Sequence, residues 1–461
     1  MISFPAGFVW GAATASYQIE GGVREGGRGP SVWDTFSHTE GKVAKGHTGD
    51  IACDHYHRID EDVALMAELG LQAYRFSIAW PRIMPDGRGP VNPEGIAFYQ
   101  RLVDRLLEHG ITPCPTLFHW DLPQALEDTG GFRNRDTPHW FADYASLMVD
   151  ELGDRVPMWS TFNEPWVYAY LGHAAGIHAP GLKDAKAAVT VAHHELLAHG
   201  LAVQAMRARR DDLRLGIVIN ASNIRSEGDP PAPPDQVDLI DAIHNRWWFD
   251  AMFRSEYPPV LLDSYGELAE AVQPGDLDTI AQPLDWLGIN YYFDMLVRGL
   301  PSEAAGDATA VRSARGMRVY PTTVGVTDAA RRDVHTDMGW PITPEGFTEL
   351  LVRLNTDYPN LPPIFVTENG AAYDDPMVDG RCADPRRIEY LDQHLRALRD
   401  AIDAGVDVRG YFLWSLMDNF EWALGFDKRF GLVHVDFDTL ERTPRDSAHW
   451  YHDVISRHGL L

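Results

Sequence analysis

EDVALMAELGLQAYRFSIAW, residues 61–80, holds one complete structural unit. In its first half Val63, Met66 and Ala67 fall three and four residues apart, the spacing of one helical face, and Gly70 supplies a stop. Its second half, from Ala73 to Trp80, is a short apolar run of strand length in which Arg75 alternates with Tyr74 and Phe76. Outward from this unit the same pattern recurs. Strand-like runs lie at residues 8–15, 73–80, 112–120, 158–165, 215–220, 286–292, 363–370 and 410–416. Helical patterns separate them, at 93–110 (Pro and Glu at the start, Gly at the stop), 189–209, 345–354 and 385–405. Strands alternating with helices predict a parallel sheet, and eight such units fit a closed (β/α)₈ barrel of the TIM type. An open doubly wound sheet fits less well, because no Gly-rich phosphate loop follows the first run. We read residues 1–461 as a single catalytic barrel domain. A bare barrel needs about 250 residues, so the remainder is expected in long βα loops that shape a pocket. Residues 225–236, with their prolines, and 300–327, rich in Gly, Ala, Ser and Thr, read as such loops.

Totals narrow the function. The 461 residues are 45% hydrophobic, enough for a large core. The 40 basic and 67 acidic residues leave a formal charge of −27. That charge repels phosphate backbones and anionic lipid, so nucleic-acid and membrane partners are not expected. A neutral ligand is not repelled. Cys53, Cys114 and Cys382 form no disulfide framework or CxxC pair. The first ten residues lack a basic stretch followed by a long apolar one, and no apolar run approaches the roughly 20 residues of a membrane helix. A cytoplasmic location is the expectation. These features do not encode an oligomeric state.

Chemistry gathers where the runs end. In a barrel those ends share one face, the face that carries active sites. Gln18 follows the first run, His119 and Trp120 end the third, and Asn163 and Glu164 end the fourth. Asn290, Tyr291 and Tyr292 end the sixth, Glu368 and Asn369 the seventh, and Trp414 lies in the eighth, with Glu421 and Trp422 close behind. Core packing explains no such set. Amides and carboxylates suit hydroxyl groups, and indole faces suit the C–H face of a sugar ring. His119, His178 and the pair at 193–194 make no HExxH pattern, so neither metal nor cofactor is expected. The histidine pair sits in a helical stretch and reads as packing or surface. Two carboxylates on different strands fit glycoside hydrolysis, which needs one protonated and one ionised carboxyl on opposite sides of the sugar. Arg75, pointing inward from the second run, and Tyr292 are placed to hold Glu368 ionised.

The motifs are specific enough to name a relationship. The chain resembles glycoside hydrolase family 1, the β-glucosidases, from FPAGFVWGAATASYQIEG (4–21) through RFSIAWPRI (75–83), LFHWDLPQAL (117–126), TFNEP (161–165), GINYY (288–292), MGWPITPEG (338–346) and TENG (367–370) to WSLMDNFEWALGF (414–426) and RFGLVHVD (429–436). The resemblance implies Glu164 as acid/base and Glu368 as nucleophile of a retaining enzyme that cleaves terminal β-glucosyl residues. It implies Gln18, His119, Trp120, Asn163, Asn290, Glu421 and Trp422 as holders of the glycone hydroxyls, with Trp414 as stacking platform and Tyr292 and Arg75 as partners of the nucleophile. Trp166, His178 and Trp340 fall on the aglycone side. Neighbouring specificities are expected less. A 6-phosphoglycosidase would carry a small residue in place of Glu421 and a tyrosine in place of Phe430, although Lys428 is present. A thioglucosidase would carry Gln in place of Glu164. A non-catalytic sugar binder would have lost one of the two carboxylates.

Overall fold

A computed structural model describes residues 2–300, 320, 322–329 and 334–461. Eight strands form its centre: β1 (Val9–Ala13), β2 (Ala73–Ser77), β3 (Thr112–Phe118), β4 (Met158–Asn163), β5 (Arg214–Asn220), β6 (Leu287–Asn290), β7 (Ile364–Glu368) and β8 (Val408–Trp414). They stand in chain order around a closed barrel, and every neighbouring pair is parallel. Each falls on one of the eight runs read from the sequence. The runs are legible because helices cover the outside of a parallel barrel while its inside is packed, so strands are apolar almost throughout.

The covering helices follow the strands one by one: α1 (His55–Glu68), α2 (Pro93–Glu108), α3 (Thr137–Leu152), α4 (Ala185–Arg209), α5 (Trp247–Arg254), α6 (Pro344–Asp357), α7 (Pro385–Asp403) and α8 (Asp446–Arg457). Prolines in the first turns of α2, α3, α6 and α7 have no N–H to leave unpaired. Helix α4 differs from the rest. It is apolar on most sides, because the barrel covers one flank and the short helices Gly266–Ala271 and Asp276–Ile280 cover another. Its buried His193 is satisfied by the Tyr257 hydroxyl at 2.9 Å and by Asp276 at 2.9 Å, and His194 bonds the Phe132 carbonyl at 2.7 Å, so of the two readings, packing and surface, the pair is packing. Gly200 permits this close layering, since a Cβ there would sit 2.0 Å from the Thr279 carbonyl oxygen.

One of the two loop readings needs correction. Residues 225–236 are not all loop: Ile224–Ser226 is a strand, and Pro234–Asp241 starts a helix that widens at Ala242–Arg246 before α5. Ile224–Ser226 pairs with Met295–Gly299, which pairs in turn with Val326–Asp328. This small sheet fixes one side of the barrel mouth, and the segment of prolines at 230–234 leads from its strand into the helix, with Pro231 bridged to Arg298 on the way. Of the other loop, 300–327, most lies outside the described residues. At the opposite end of the barrel Ile2–Ser3 pairs with Gly459–Leu460. No helix among the described residues is long and apolar enough to cross a membrane.

Candidate active site

A cavity of about 470 Å³ opens at the C-terminal ends of the strands. Glu164 and Glu368 both line it, together with His119, Trp120, Asn290, Tyr292, Trp414, Glu421 and Trp422. Two irregularities of the barrel deliver the carboxylates. The β4–β5 register slips between Ser160 and Asn163, and the β6–β7 register slips between Val366 and Glu368. Such bulges re-aim side chains at barrel rims. Glu164 then leaves β4 in a left-handed conformation, φ 46°, its N–H held by the Val218 carbonyl at 2.9 Å. Trp120 (φ 75°) and Trp422 (φ 46°) share this conformation. For residues with a Cβ it is strained, and it persists here because the surrounding contacts over-determine it.

One hydrogen-bond network joins the two carboxylates. Arg75 donates from Nη1 to Glu368 Oε1 (2.7 Å) and from Nη2 to Asn163 Oδ1 (2.6 Å). Tyr292 donates to Glu368 Oε2 (2.7 Å). A guanidinium has only donors, so the oxygen of Asn163 must face Arg75. The amide of Asn290 follows: its Nδ2 donates to Asn163 Oδ1 (3.1 Å) and to Glu164 Oε1 (2.6 Å). On its other side Asn163 Nδ2 donates to His119 Nε2 (3.0 Å), which puts the imidazole proton on Nδ1. Among the described residues that buried N–H has no partner, which leaves it as a donor for a ligand.

The chain that carries this network matches a known family along its length. Residues 1–460 match the family described as Glycosyl hydrolase family 1. The chain belongs to glycosyl hydrolase family 1. It is 50% identical to a thermostable β-glucosidase B of Thermobispora bispora, over 100% of this chain and 92% of the relative. It is 46% identical to a bifunctional β-D-glucosidase/β-D-fucosidase of Bifidobacterium breve, over 99% of both chains. Among solved structures, a psychrophilic β-glucosidase from Micrococcus antarcticus superposes with a TM-score of 0.94 at 47% identity, covering 99% of this chain and 98% of that one.

Electrostatics separates the two carboxyls of this family 1 member. Burial, and then the charge of Glu368, push Glu164 up to about 8. Burial pushes Glu368 up as well, but Arg75 and Tyr292 act against it. With a guanidinium on one oxygen and a phenol on the other, Glu368 is the group that ionises first, and Glu164 keeps its proton. Glu421 is also raised to about 8, by burial and by Glu368. Burial and the charge of Arg75 take His119 well below its usual range, so it is neutral.

The remaining predicted residues divide by position. Gln18, Asn163 and Arg75 stand behind the cavity lining and are fully or almost fully buried. Gln18 Nε2 donates to Asn419 Oδ1 (2.9 Å) and to the Phe420 carbonyl (2.8 Å), which leaves its Oε1 without a partner. Trp120 commits its indole N–H to the Asn163 carbonyl at 2.7 Å, so it presents ring surface to the cavity. Its ring packs 4.6 Å from that of Trp422, and His119 stacks between Trp414 (6.1 Å) and Trp422 (5.8 Å). Trp166, His178 and Trp340 line the same cavity, with Trp340 stacked on Phe293 at 5.0 Å. Lys428 donates to the Asp337 carbonyl at 2.7 Å, and Phe430 lines the cavity.

Asn220 and His244 are among the lining residues that escaped the sequence reading. Asn220 ends β5, and the polar end of an apolar run was there to be read; its buried Oδ1 has no protein partner. His244 arrives from the widened helical turn Ala242–Arg246, for which the sequence holds no signal. Its Nδ1 bonds the Tyr320 hydroxyl at 2.9 Å.

Proposed function

We propose that the chain removes terminal non-reducing β-D-glucosyl residues from cellobiose and from aryl and alkyl β-glucosides, with some β-galactosides and β-fucosides, through Glu368 as nucleophile and Glu164 as acid/base. One observation carries the assignment: two buried carboxyls line one cavity in a shared network, and only one of them holds a cation and a phenol. Glu368 attacks the anomeric carbon while Glu164 protonates the departing oxygen, giving a covalent glycosyl-enzyme. The ester has no charge, so the Coulomb contribution that raises Glu164 disappears. Glu164 then takes a proton from water, and the sugar leaves with its β configuration retained. The two carboxyl groups are expected about 5–5.5 Å apart, the retaining separation.

Around the glycone, the unpaired Gln18 Oε1 and the His119 N–H supply an acceptor and a donor. Asn163 and Asn290 border the 2-hydroxyl, Trp414 underlies the ring, and Trp120, Glu421 and Trp422 close its far side. Trp166, His178 and Trp340 receive the aglycone. The chemistry requires no metal or cofactor. We take residues 1–461 as one catalytic domain, a reading supported by the pairing of the chain's two ends. The three cysteines are unpaired, which supports a reducing, cytoplasmic location.

The test is a Glu368→Gly variant. It should lose hydrolysis of nitrophenyl β-glucoside, and azide should restore turnover with an α-glucosyl azide as product. Normal hydrolysis by this variant removes the nucleophile assignment.

A further inference from the structure

Thr367 precedes the nucleophile and touches neither the cavity nor a charged group through its side chain. Its hydroxyl donates to Asn290 Oδ1 at 2.7 Å, and it is buried. In a regular strand, neighbouring side chains leave opposite faces. The slip between Val366 and Glu368 places two residues of β7 against the single step from Ile289 to Asn290 on β6, so Thr367 meets the same amide that serves the site. Gly288 makes room for it: a Cβ there would lie 2.8 Å from Thr367 Oγ1 and 2.7 Å from Val218 Cγ2. The amide of Asn290 is thereby held at both ends, Oδ1 by Thr367 and Nδ2 by Asn163 and Glu164.

We propose that Thr367 is a positioning residue that tunes the acid/base, by clamping Asn290 so that its N–H points at Glu164 Oε1. This rests on the reading of Glu164 as the acid. Donation from Asn290 favours the ionised form of Glu164. The other groups that act on Glu164 are the carboxylate of Glu368, the guanidinium of Arg75 and the carboxyl of Glu421, and Tyr292 faces it as a neutral phenol. None of these touches the Thr367 side chain; Asn290 also favours the ionised form of Glu368, so removing the hydroxyl acts on Glu164 through Asn290 itself and on Glu368 beside it. With the clamp gone, Asn290 loses a donor on its buried oxygen and its N–H drifts from Glu164. The ionised form is then less favoured, and Glu164 holds its proton to higher pH.

The readout is the pH profile of kcat/KM on nitrophenyl β-glucoside, which reports the free enzyme. Thr367→Val and Thr367→Ala should both move the basic limb upward, by about half a unit to one unit, and Thr367→Ser should restore the wild-type limb. The alanine variant carries the test where valine does not fold, and thermal melting identifies that case. A limb unchanged in every folded variant lacking the hydroxyl overturns the proposal, as does a serine variant that shifts like alanine. A Glu164→Gln control separates the two levels. If the wild-type basic limb survives in Glu164→Gln, the acid assignment has failed; if it vanishes there and Thr367→Ala matches wild type, the clamp alone has failed.

Discussion

Glu164 combines a left-handed backbone with a carboxyl that stays protonated where an unfolded chain would ionise it. Its native pKa is raised from 4.5 to about 8. Protonation in the folded state therefore stabilises the fold below pH 4.5, and the benefit is lost as pH rises toward 8. Glu164→Gln keeps the acceptor for Asn290 and removes the titration. Its melting temperature at pH 7 should exceed that of the wild type, and the gap should close as the pH is lowered to 4; a gap independent of pH contradicts the raised pKa. Tyr292 offers a second residue-level test. Its phenol is the neutral donor to Glu368, and a hydrogen bond to a charged group contributes about 1.5–3 kcal/mol. Tyr292→Phe should lower kcat about 10- to 100-fold and shift the acidic limb of the rate profile upward, since Glu368 then ionises less readily. An unchanged acidic limb would assign that limb to another group.

Among the elements, the strands and the helices differ in how plainly the sequence announces them. All eight strands could be read, since each is buried on two sides. Five helices, α1, α2, α4, α6 and α7, correspond to patterns singled out in the sequence; α3, α5 and α8 do not. The register slips at β4 and β7 have no local signature, because they arise from how two strands meet. The same holds for the amide orientations of Asn163 and Asn290, which follow only once Arg75, from a third strand, is brought against Asn163. Thus both carboxylates were legible as strand ends, and Arg75 and Tyr292 as partners of Glu368, while the amide links through Asn163 and Asn290 to Glu164 were not. Helix α4 gives an element-scale prediction. Gly→Ala usually stabilises a helix interior by about 1 kcal/mol, but at Gly200 the new methyl would meet the Thr279 carbonyl. Gly200→Ala should cost about 1–3 kcal/mol in urea unfolding, the range for an overpacked core, with the pH profile of activity unchanged. A stabilised variant would mean that the layer over α4 moves freely.

For the molecule as a whole, a charge of −27 acts through the long-range field. That field does not steer an uncharged glucoside, and salt screens it within about 10 Å at 0.1 M. The KM for nitrophenyl β-glucoside should change less than about twofold between 0.01 and 0.5 M sodium chloride. A 6-phosphorylated analogue should be a poor substrate that improves as salt is added, because the acidic surface opposes its charge. A phosphorylated substrate preferred at low salt would exclude the neutral-sugar reading.

Ile2–Ser3 and Gly459–Leu460 lie side by side, below the barrel and away from the mouth. A few glycines are therefore enough to splice the ends together, and new ends could be cut elsewhere in the ring without removing any stave. A protein joined before Ile2 or after Leu460, or a tether to a solid support, would likewise attach beneath the barrel and leave the entrance for sugar unobstructed.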